Sequence, residues 1–239
     1  MAVVEQSEEM YGGTCINVAC IPSKSLVKNA ERASRRDDTK EEQRTFYKQA
    51  IREKRDLVET LRKNNFDKLD QMERVDVINA KAAFVDAHTL LLSGSEGERE
   101  ITGDKVFINT GSVPKLPDMA GMKDNPYVYT SKTLTEEEEL PKRLAIVGGG
   151  FIGLEYASMY QSFGSEVTLL VSSDRLLADE DEDIAEAIAE RLQEMGVKIL
   201  LGARATEIRE DVLVPGKKRN WRTPGCCLRS AALRIPKDL

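Results

Sequence analysis

The stretch Leu144-Ala145-Ile146-Val147-Gly148-Gly149-Gly150-Phe151-Ile152-Gly153 decides the fold. Its first four residues make a short apolar run suited to a buried strand, and the glycines that follow permit a tight turn. A helical pattern continues through Glu155, Ala157, Tyr160 and Phe163, and a second strand is expected over 167–171. A glycine fingerprint alone is weak, and structural glycines in an ordinary turn are the competing reading. A strand before it, a helix behind it and a second strand about twenty residues on supply the context of a dinucleotide-binding βαβ unit. In that unit Gly148 permits the turn, Gly150 lets the backbone approach a pyrophosphate, and Gly153 lets helix and strand pack closely. Phe151 and Ile152 stand at the helix N-terminus, where an anion is favoured.

Downstream, the pattern predicts an acidic helix over 181–195, a strand over 197–201 and another near 206–209. Upstream, short β-forming stretches occupy 75–78, 82–85, 89–92 and 105–108, the last stopped by Thr110-Gly111-Ser112-Val113-Pro114. A charged helix is expected over 40–70, with Phe46, Ala50, Ile51, Leu57, Leu61 and Phe66 on one side. Before it, Leu26, Val27 and Ala30 continue a helix that begins near two cysteines, and residues 2–6 read as a strand. The two helices suit a paired arrangement, a long helical hairpin in an α/β chain.

The composition is that of a globular protein, 41% hydrophobic and 32% charged over 239 residues. A formal net charge of −6 argues against nucleic acid as the main partner, because phosphate binding needs a concentrated basic surface. No apolar run is long enough to span a bilayer, and Met1 leads directly into Ala2-Val3-Val4-Glu5 without a signal-peptide pattern, so the expected compartment is the cytoplasm. Four cysteines in a chain of this length do not form a secreted disulfide scaffold. No metal site is expected.

Gly12-Gly13-Thr14-Cys15-Ile16-Asn17-Val18-Ala19-Cys20-Ile21-Pro22-Ser23-Lys24 places two of the cysteines five positions apart at the opening of a helix. On an ideal helix such residues have Cα atoms roughly 8 to 9 Å apart, whereas a disulfide needs less than about 7 Å. A bridged pair therefore requires a distorted first turn, which Pro22 assists by lacking an N–H that would bond back toward Val18. A thiolate at a helix N-terminus is stabilised by the dipole and by unpaired N–H groups, which predicts a lowered pKa, and Lys24 adds positive charge. Two small cysteines simply buried in a helix are the alternative. The flanking Gly-Gly-Thr and Pro-Ser-Lys favour a redox pair over both burial and zinc binding.

This run resembles the active-site signature of the class I pyridine nucleotide-disulfide oxidoreductases, the flavoproteins that include lipoamide dehydrogenase, glutathione reductase and mercuric reductase. Met10-Tyr11 and the later sequence are most similar to a bacterial subgroup linked to resistance against reactive chlorine and metal ions. The resemblance covers residues 2 to 212. It implies an FAD-dependent enzyme that uses NADPH or NADH and passes electrons from nicotinamide to flavin to the Cys15–Cys20 disulfide and on to a small-molecule or disulfide acceptor. It makes Cys15 the interchange thiol and Cys20 the charge-transfer thiol, with Lys24 near the reactive flavin nitrogen and Glu155 as its carboxylate partner. Glu5 matches the flavin-ribose carboxylate, and Gly12, Gly13, Thr14, Thr110, Gly111 and Ser112 fall at flavin-contacting places. NAD-using members commonly end the second strand with an acidic residue, where this chain has Val171. Ser172, Ser173 and Arg175 follow and offer hydroxyls and a guanidinium to a 2′-phosphate, which favours NADPH.

The implied fold is two Rossmann-like units, the first incomplete: a partial FAD-binding domain over 1–140 with the redox helix, a partial NAD(P)-binding domain over 141–212, and a divergent basic tail over 213–239. Ala19 replaces a glycine usual in the signature. The flavin's pyrophosphate-binding strand and turn, expected upstream of Ala2, and the C-terminal dimerisation domain of this homodimeric family, with its His-Glu pair, have no counterpart in this sequence. His88, the only histidine, reads as structural. The tail carries Lys217, Lys218, Arg219, Arg222, Arg229 and Arg234 beside Cys226-Cys227, in the manner of a frameshift or fusion. The expectation is thus an incomplete copy, inactive alone. A non-functional gene fragment and a standalone dinucleotide-binding module are the alternatives.

Overall fold

The computed structural model describes residues 1–114, 116, 119–209, 212–215 and 231–234. Two compact units emerge, Met1–Pro22 with Lys54–Val113, and Ser23–Glu53 with the described residues from Pro114 onward. Compactness divides the chain differently from the expected domain boundary at residue 140, joining residues 23–53 and the described part of 114–140 to the second unit.

In the first unit, β1 (Ala2–Glu5) pairs in parallel with β2 (Asp76–Asn79), Ala2 opposite Asp76 and Glu5 opposite Asn79. A three-stranded antiparallel meander follows, from β3 (Lys81–Phe84) through β4 (Thr89–Gly94) to β5 (Gly97–Thr102). Leu92 of β4 is buried, while β5, with the sequence Gly-Glu-Arg-Glu-Ile-Thr, is largely exposed. Its charges hide it from an apolar-pattern search, and the tight return between the paired Gly94 and Gly97 sets its register instead.

The strand expected over 105–108 does not form: these residues are irregular, with Phe107 88% and Ile108 73% exposed. A β-forming sequence becomes a strand only where its backbone groups meet a partner, and none of the described strands pairs with it.

The helix expected to carry both cysteines is divided. Gly13–Asn17 form α1, Val18 leaves helical geometry at φ −130°, and α2 runs from Cys20 to Ala33. The distortion required between Cys15 and Cys20 is therefore a break between helices. Asn17 fastens α1 by donating from Nδ2 to the carbonyls of Tyr11 and Gly13, each at 2.9 Å. Its Oδ1 accepts from Arg62 Nε at 2.9 Å, on the long helix α3 (Lys40–Asp70). Tyr11 packs on Phe66 of the same helix, ring centroids 4.7 Å apart, and donates its hydroxyl proton to Asn79.

The second unit is built on a five-stranded sheet in the order β6 (Val128–Thr130), β12 (Ala231–Arg234), β7 (Arg143–Val147), β8 (Glu166–Leu170) and β9 (Lys198–Leu200). β7, β8 and β9 are parallel, and β12 is antiparallel to both neighbours. The patternless reading of the tail gave no sign of β12. Cys226 and Cys227 lie outside the described residues.

Leu144, Ala145 and Ile146 are buried together, as a strand covered on both faces requires. The crossover α5 (Phe151–Phe163) buries Ala157, Met159, Tyr160 and Phe163, and ends at Gly164 with φ 103°, a left-handed cap. A second crossover, α6 (Glu182–Glu194), buries Ala185 and Leu192. The parts of α2 and α3 within this unit contribute Leu26, Ala30, Tyr47, Ala50 and Ile51 to the same core, which makes the expected helical pairing. A short helix, α4 (Ser131–Leu134), is capped by Thr130 and Thr133, which bond reciprocally. Beyond the sheet, β10 (Ala205–Arg209) pairs antiparallel with β11 (Val212–Pro215).

Candidate active site

The glycine turn opens a cleft of about 890 Å3 in the second unit, at the C-terminal ends of β7, β8 and β9. Ligands bind at this end of an open α/β sheet, where loops leave the strands and helix N-termini present N–H groups. Gly148 has φ 117°, a conformation that side chains disfavour. A Cβ at Gly153 would lie 2.1 Å from the Gly148 carbonyl oxygen, so α5 approaches the turn more closely than any side chain permits. A Cβ at Gly150 would meet nothing within 4 Å. Gly150 caps α5, and the exposed Phe151 and Ile152 line the cleft beside it.

Val171 is buried, and its methyl groups would meet a Cβ built on Gly149. Ser172 and Ser173 line the cleft, whereas Arg175 is not among its lining residues. The Arg175 Nη2 donates to the Ala178 carbonyl at 2.5 Å. Asp179, Glu180, Arg204 and Thr206 also line the cleft and were missed by sequence reasoning. The strand-end rule could have found Arg204 and Thr206, since they lie in and after the connection that leaves β9.

Lys24 and Glu155, expected as a pair, form an ion pair between Lys24 Nζ and Glu155 Oε1. The lysine side chain is 69% exposed and the glutamate 26%.

In the first unit Cys15 and Cys20 are exposed free thiols whose side chains hydrogen-bond to each other. This bond holds the Cys15 pKa above the usual thiol value, with desolvation and repulsion by Cys20 adding to it. A hydrogen bond with the Cys20 backbone opposes the shift without overcoming it. The expected lowering is thus reversed for Cys15. It sits inside a helix of five residues, whose few peptide dipoles are outweighed by the partner sulfur.

Glu5 ends β1 and accepts the Ser7 N–H at 3.1 Å. Gly12 is the left-handed cap of α1, and Gly13 and Thr14 form its first residues. The Ser112 N–H approaches Thr14 Oγ1 at 3.5 Å, and a Cβ at Gly111 would come 2.6 Å from the same oxygen. Thr110, Gly111 and Ser112 are thus drawn close to Thr14 as an irregular segment. Small residues at a helix start and a strand-end carboxylate are residue types that suit the phosphates and ribose hydroxyls of a nucleotide cofactor. His88 lies in the turn between β3 and β4, with Nδ1 3.1 Å from the Gly103 carbonyl, a structural contact. Among the described residues no group of three or more His, Cys, Asp or Glu is placed to hold a metal ion, and no helix is long and apolar enough to cross a membrane.

A βαβ dinucleotide turn together with a Cys-x4-Cys pair defines a class, and residues 1–221 match the family described as pyridine nucleotide-disulphide oxidoreductase. The chain belongs to that family, whose members use FAD and NAD(P)H. It is 44% identical over 208 residues to "Probable pyridine nucleotide-disulfide oxidoreductase RclA" of Escherichia coli K12, covering 87% of this chain and 45% of that protein. It is 34% identical over 198 residues to a mercuric reductase of Lysinibacillus sphaericus, covering 80% and 35%. The solved HOCl-induced flavoprotein disulfide reductase RclA from Escherichia coli, in its Cu(II) complex, superposes with a TM-score of 0.82 at 40% identity, covering 95% of this chain and 49% of that one. The chain spans about half the length, or less, of the relatives it matches.

Proposed function

We propose that this chain carries the electron-entry half of an NAD(P)H-dependent flavoprotein reductase, in which Cys15 and Cys20 accept an electron pair as a disulfide and deliver it to a disulfide, metal-ion or oxidant acceptor. The observation that carries this reading is the direct hydrogen bond between the two thiols, which puts the sulfurs within reach of each other on either side of a helix break.

The cleft at Gly148–Gly153 would take NAD(P)H, its pyrophosphate at the α5 N-terminus. Glu5, Gly12, Gly13, Thr14, Lys24, Thr110, Gly111 and Ser112 would hold FAD, which when bound supplies the two-electron relay between nicotinamide and sulfur. Residues 1–140 would serve the flavin and 141–212 the nucleotide. Glu155 keeps the Lys24 ammonium in place by charge. Two electrons and one proton leave the nicotinamide, the Cys15–Cys20 bond breaks, and a second proton from water completes the dithiol. For a disulfide acceptor, Cys15 then attacks one acceptor sulfur and expels the first thiol, and Cys20 attacks Cys15 in the resulting mixed disulfide, expelling the second thiol and re-forming the Cys15–Cys20 bond.

In the full protein purified with FAD, Cys15→Ser and Cys20→Ser should each bring NADH-driven reduction of a disulfide acceptor to background. Turnover at the unsubstituted rate in either variant would refute the proposal.

A further inference from the structure

The cleft beside the glycine turn carries an uneven set of charges. Its lining residues include two acidic ones, Asp179 and Glu180, and one basic one, Arg204. From this we infer that the cleft selects NADH over NADPH, with Asp179 and Glu180 disfavouring the 2′-phosphate; the inference rests on the dinucleotide reading of this cleft.

The geometry follows from the turn. With a pyrophosphate at the α5 N-terminus, the adenosine ribose of a bound dinucleotide falls at the C-terminal end of the second parallel strand. That end is Val171, a buried apolar side chain that offers no hydrogen bond to a ribose hydroxyl. The loop that follows therefore decides what the 2′ position meets. Its Ser172 and Ser173 line the cleft with hydroxyls.

The one cation of this loop is engaged within it, since Arg175 Nη2 donates to Ala178 O at 2.5 Å, while the Arg175 carbonyl accepts from Ser173 Oγ at 2.8 Å. Releasing the Arg175 guanidinium toward a phosphate would cost its bond to the Ala178 carbonyl. The acidic end of the loop is fastened to the glycine turn, with the Leu177 N–H donating to Gly149 O at 2.9 Å and the Glu180 N–H to Leu177 O at 2.8 Å. Leu177 adopts φ 44°, and that bend turns the chain toward Asp179 and Glu180. The Gly202 N–H donates to Ser173 O at 2.7 Å, closing the loop from the other side.

A 2′-phosphate brings a charge of about −1.5 to −2 to this place. Two acidic residues disfavour it, and Arg204 is the one basic residue among those lining the cleft. A free 2′-hydroxyl has no such penalty and can donate a hydrogen bond to a carboxylate. Specificity here comes from a repulsive element as much as an attractive one.

The test is calorimetric titration of the chain, its folding checked by circular dichroism, with ADP-ribose, 2′-phospho-ADP-ribose, NADH and NADPH. The expected result is at least about tenfold tighter binding of the forms lacking the 2′-phosphate at low ionic strength, shrinking as salt screens the repulsion. Asp179→Asn with Glu180→Gln should narrow the gap, chiefly by strengthening NADPH. Equal or tighter binding of NADPH, or a gap unchanged in the neutralised variant, would overturn the inference while leaving the cleft a dinucleotide site. An Arg204→Ala loss confined to the phosphorylated forms would overturn it too, by giving the 2′-phosphate a dedicated cation. Failure of all four ligands to bind would overturn the reading of the cleft itself and the inference with it.

Discussion

Lys24 and Glu155, separated by 131 residues in sequence, form a direct ion pair. The lysine is two-thirds exposed, so the pair adds little to stability: water screens it and two long side chains must be held in one geometry. Glu155→Gln should therefore cost less than about 1 kcal/mol in thermal or urea unfolding. In the full protein with FAD, the same substitution should slow flavin reduction by NADH in stopped-flow measurements. A large loss of stability with unchanged reduction would make the pair structural.

Gly150 and Gly153 should separate binding from folding. A methyl group at Gly150 meets no protein atom within 4 Å but enters the cleft, so Gly150→Ala should retain the melting temperature and weaken NADH binding by about tenfold or more. At Gly153 the methyl group meets the Gly148 carbonyl at 2.1 Å, so Gly153→Ala should lose both. A destabilisation of about 1–3 kcal/mol is expected there, the usual range for an overpacked site. Equal effects of the two substitutions would contradict this division.

The Cys15 thiol should respond to its neighbour. Because the hydrogen bond with Cys20 raises its pKa, Cys15 in the reduced protein should be alkylated by iodoacetamide more slowly at pH 7.5 to 8.5 than an ordinary exposed cysteine. Cys20→Ser replaces an ionisable thiol that competes for charge with a hydroxyl that stays neutral and can donate to the Cys15 thiolate, so the Cys15 pKa should fall and its alkylation should speed up. A slower reaction in that variant would show the helix terminus, and not the partner sulfur, to govern Cys15.

Tyr47, Tyr156 and Tyr160 form a buried cluster. Tyr160 donates to the Leu134 carbonyl at 3.0 Å, Tyr47 to that of Glu137 at 3.0 Å, and their hydroxyls are 3.1 Å apart. Tyr156 donates to the Ser131 carbonyl at 2.8 Å. Burial raises all three pKa values. A tyrosine whose folded-state pKa is raised adds stability that is complete below its unfolded value of about 10 and is lost as pH rises from there toward the folded value. The melting temperature should thus be level from pH 7 to 9 and drop steeply above about pH 10. Tyr160→Phe should cost about 1–3 kcal/mol, the range for leaving a buried hydrogen-bond partner unsatisfied, and should soften the alkaline drop.

Much of this was legible in the sequence because it depends on local rules. An apolar run before Gly148-Gly149-Gly150 can only be a buried strand meeting a tight turn, and α3 was read to its bounds of Lys40–Asp70 from the spacing of its apolar residues. The Lys24–Glu155 pairing followed from family resemblance and from no local rule. What failed depended on partners distant in sequence. Residues 105–108 have the composition of a strand without a strand to pair with, and β12 forms between β6 and β7 in a tail whose composition gave no sign of it. β5 was missed because register, and not hydrophobicity, makes it a strand. Asp179, Glu180 and Arg204 escaped because a charged residue in a loop reads as solvated until the fold turns that loop toward a cleft.

We propose Cys15 and Cys20 as the sulfur pair through which electrons from the nicotinamide leave. Differential alkylation tests it most directly: the full protein with FAD is treated anaerobically with NADH or with buffer, labelled with iodoacetamide, and read residue by residue by mass spectrometry. Cys15 and Cys20 should be unlabelled in the oxidised protein and both labelled after NADH. Equal labelling of the two with and without NADH would contradict it.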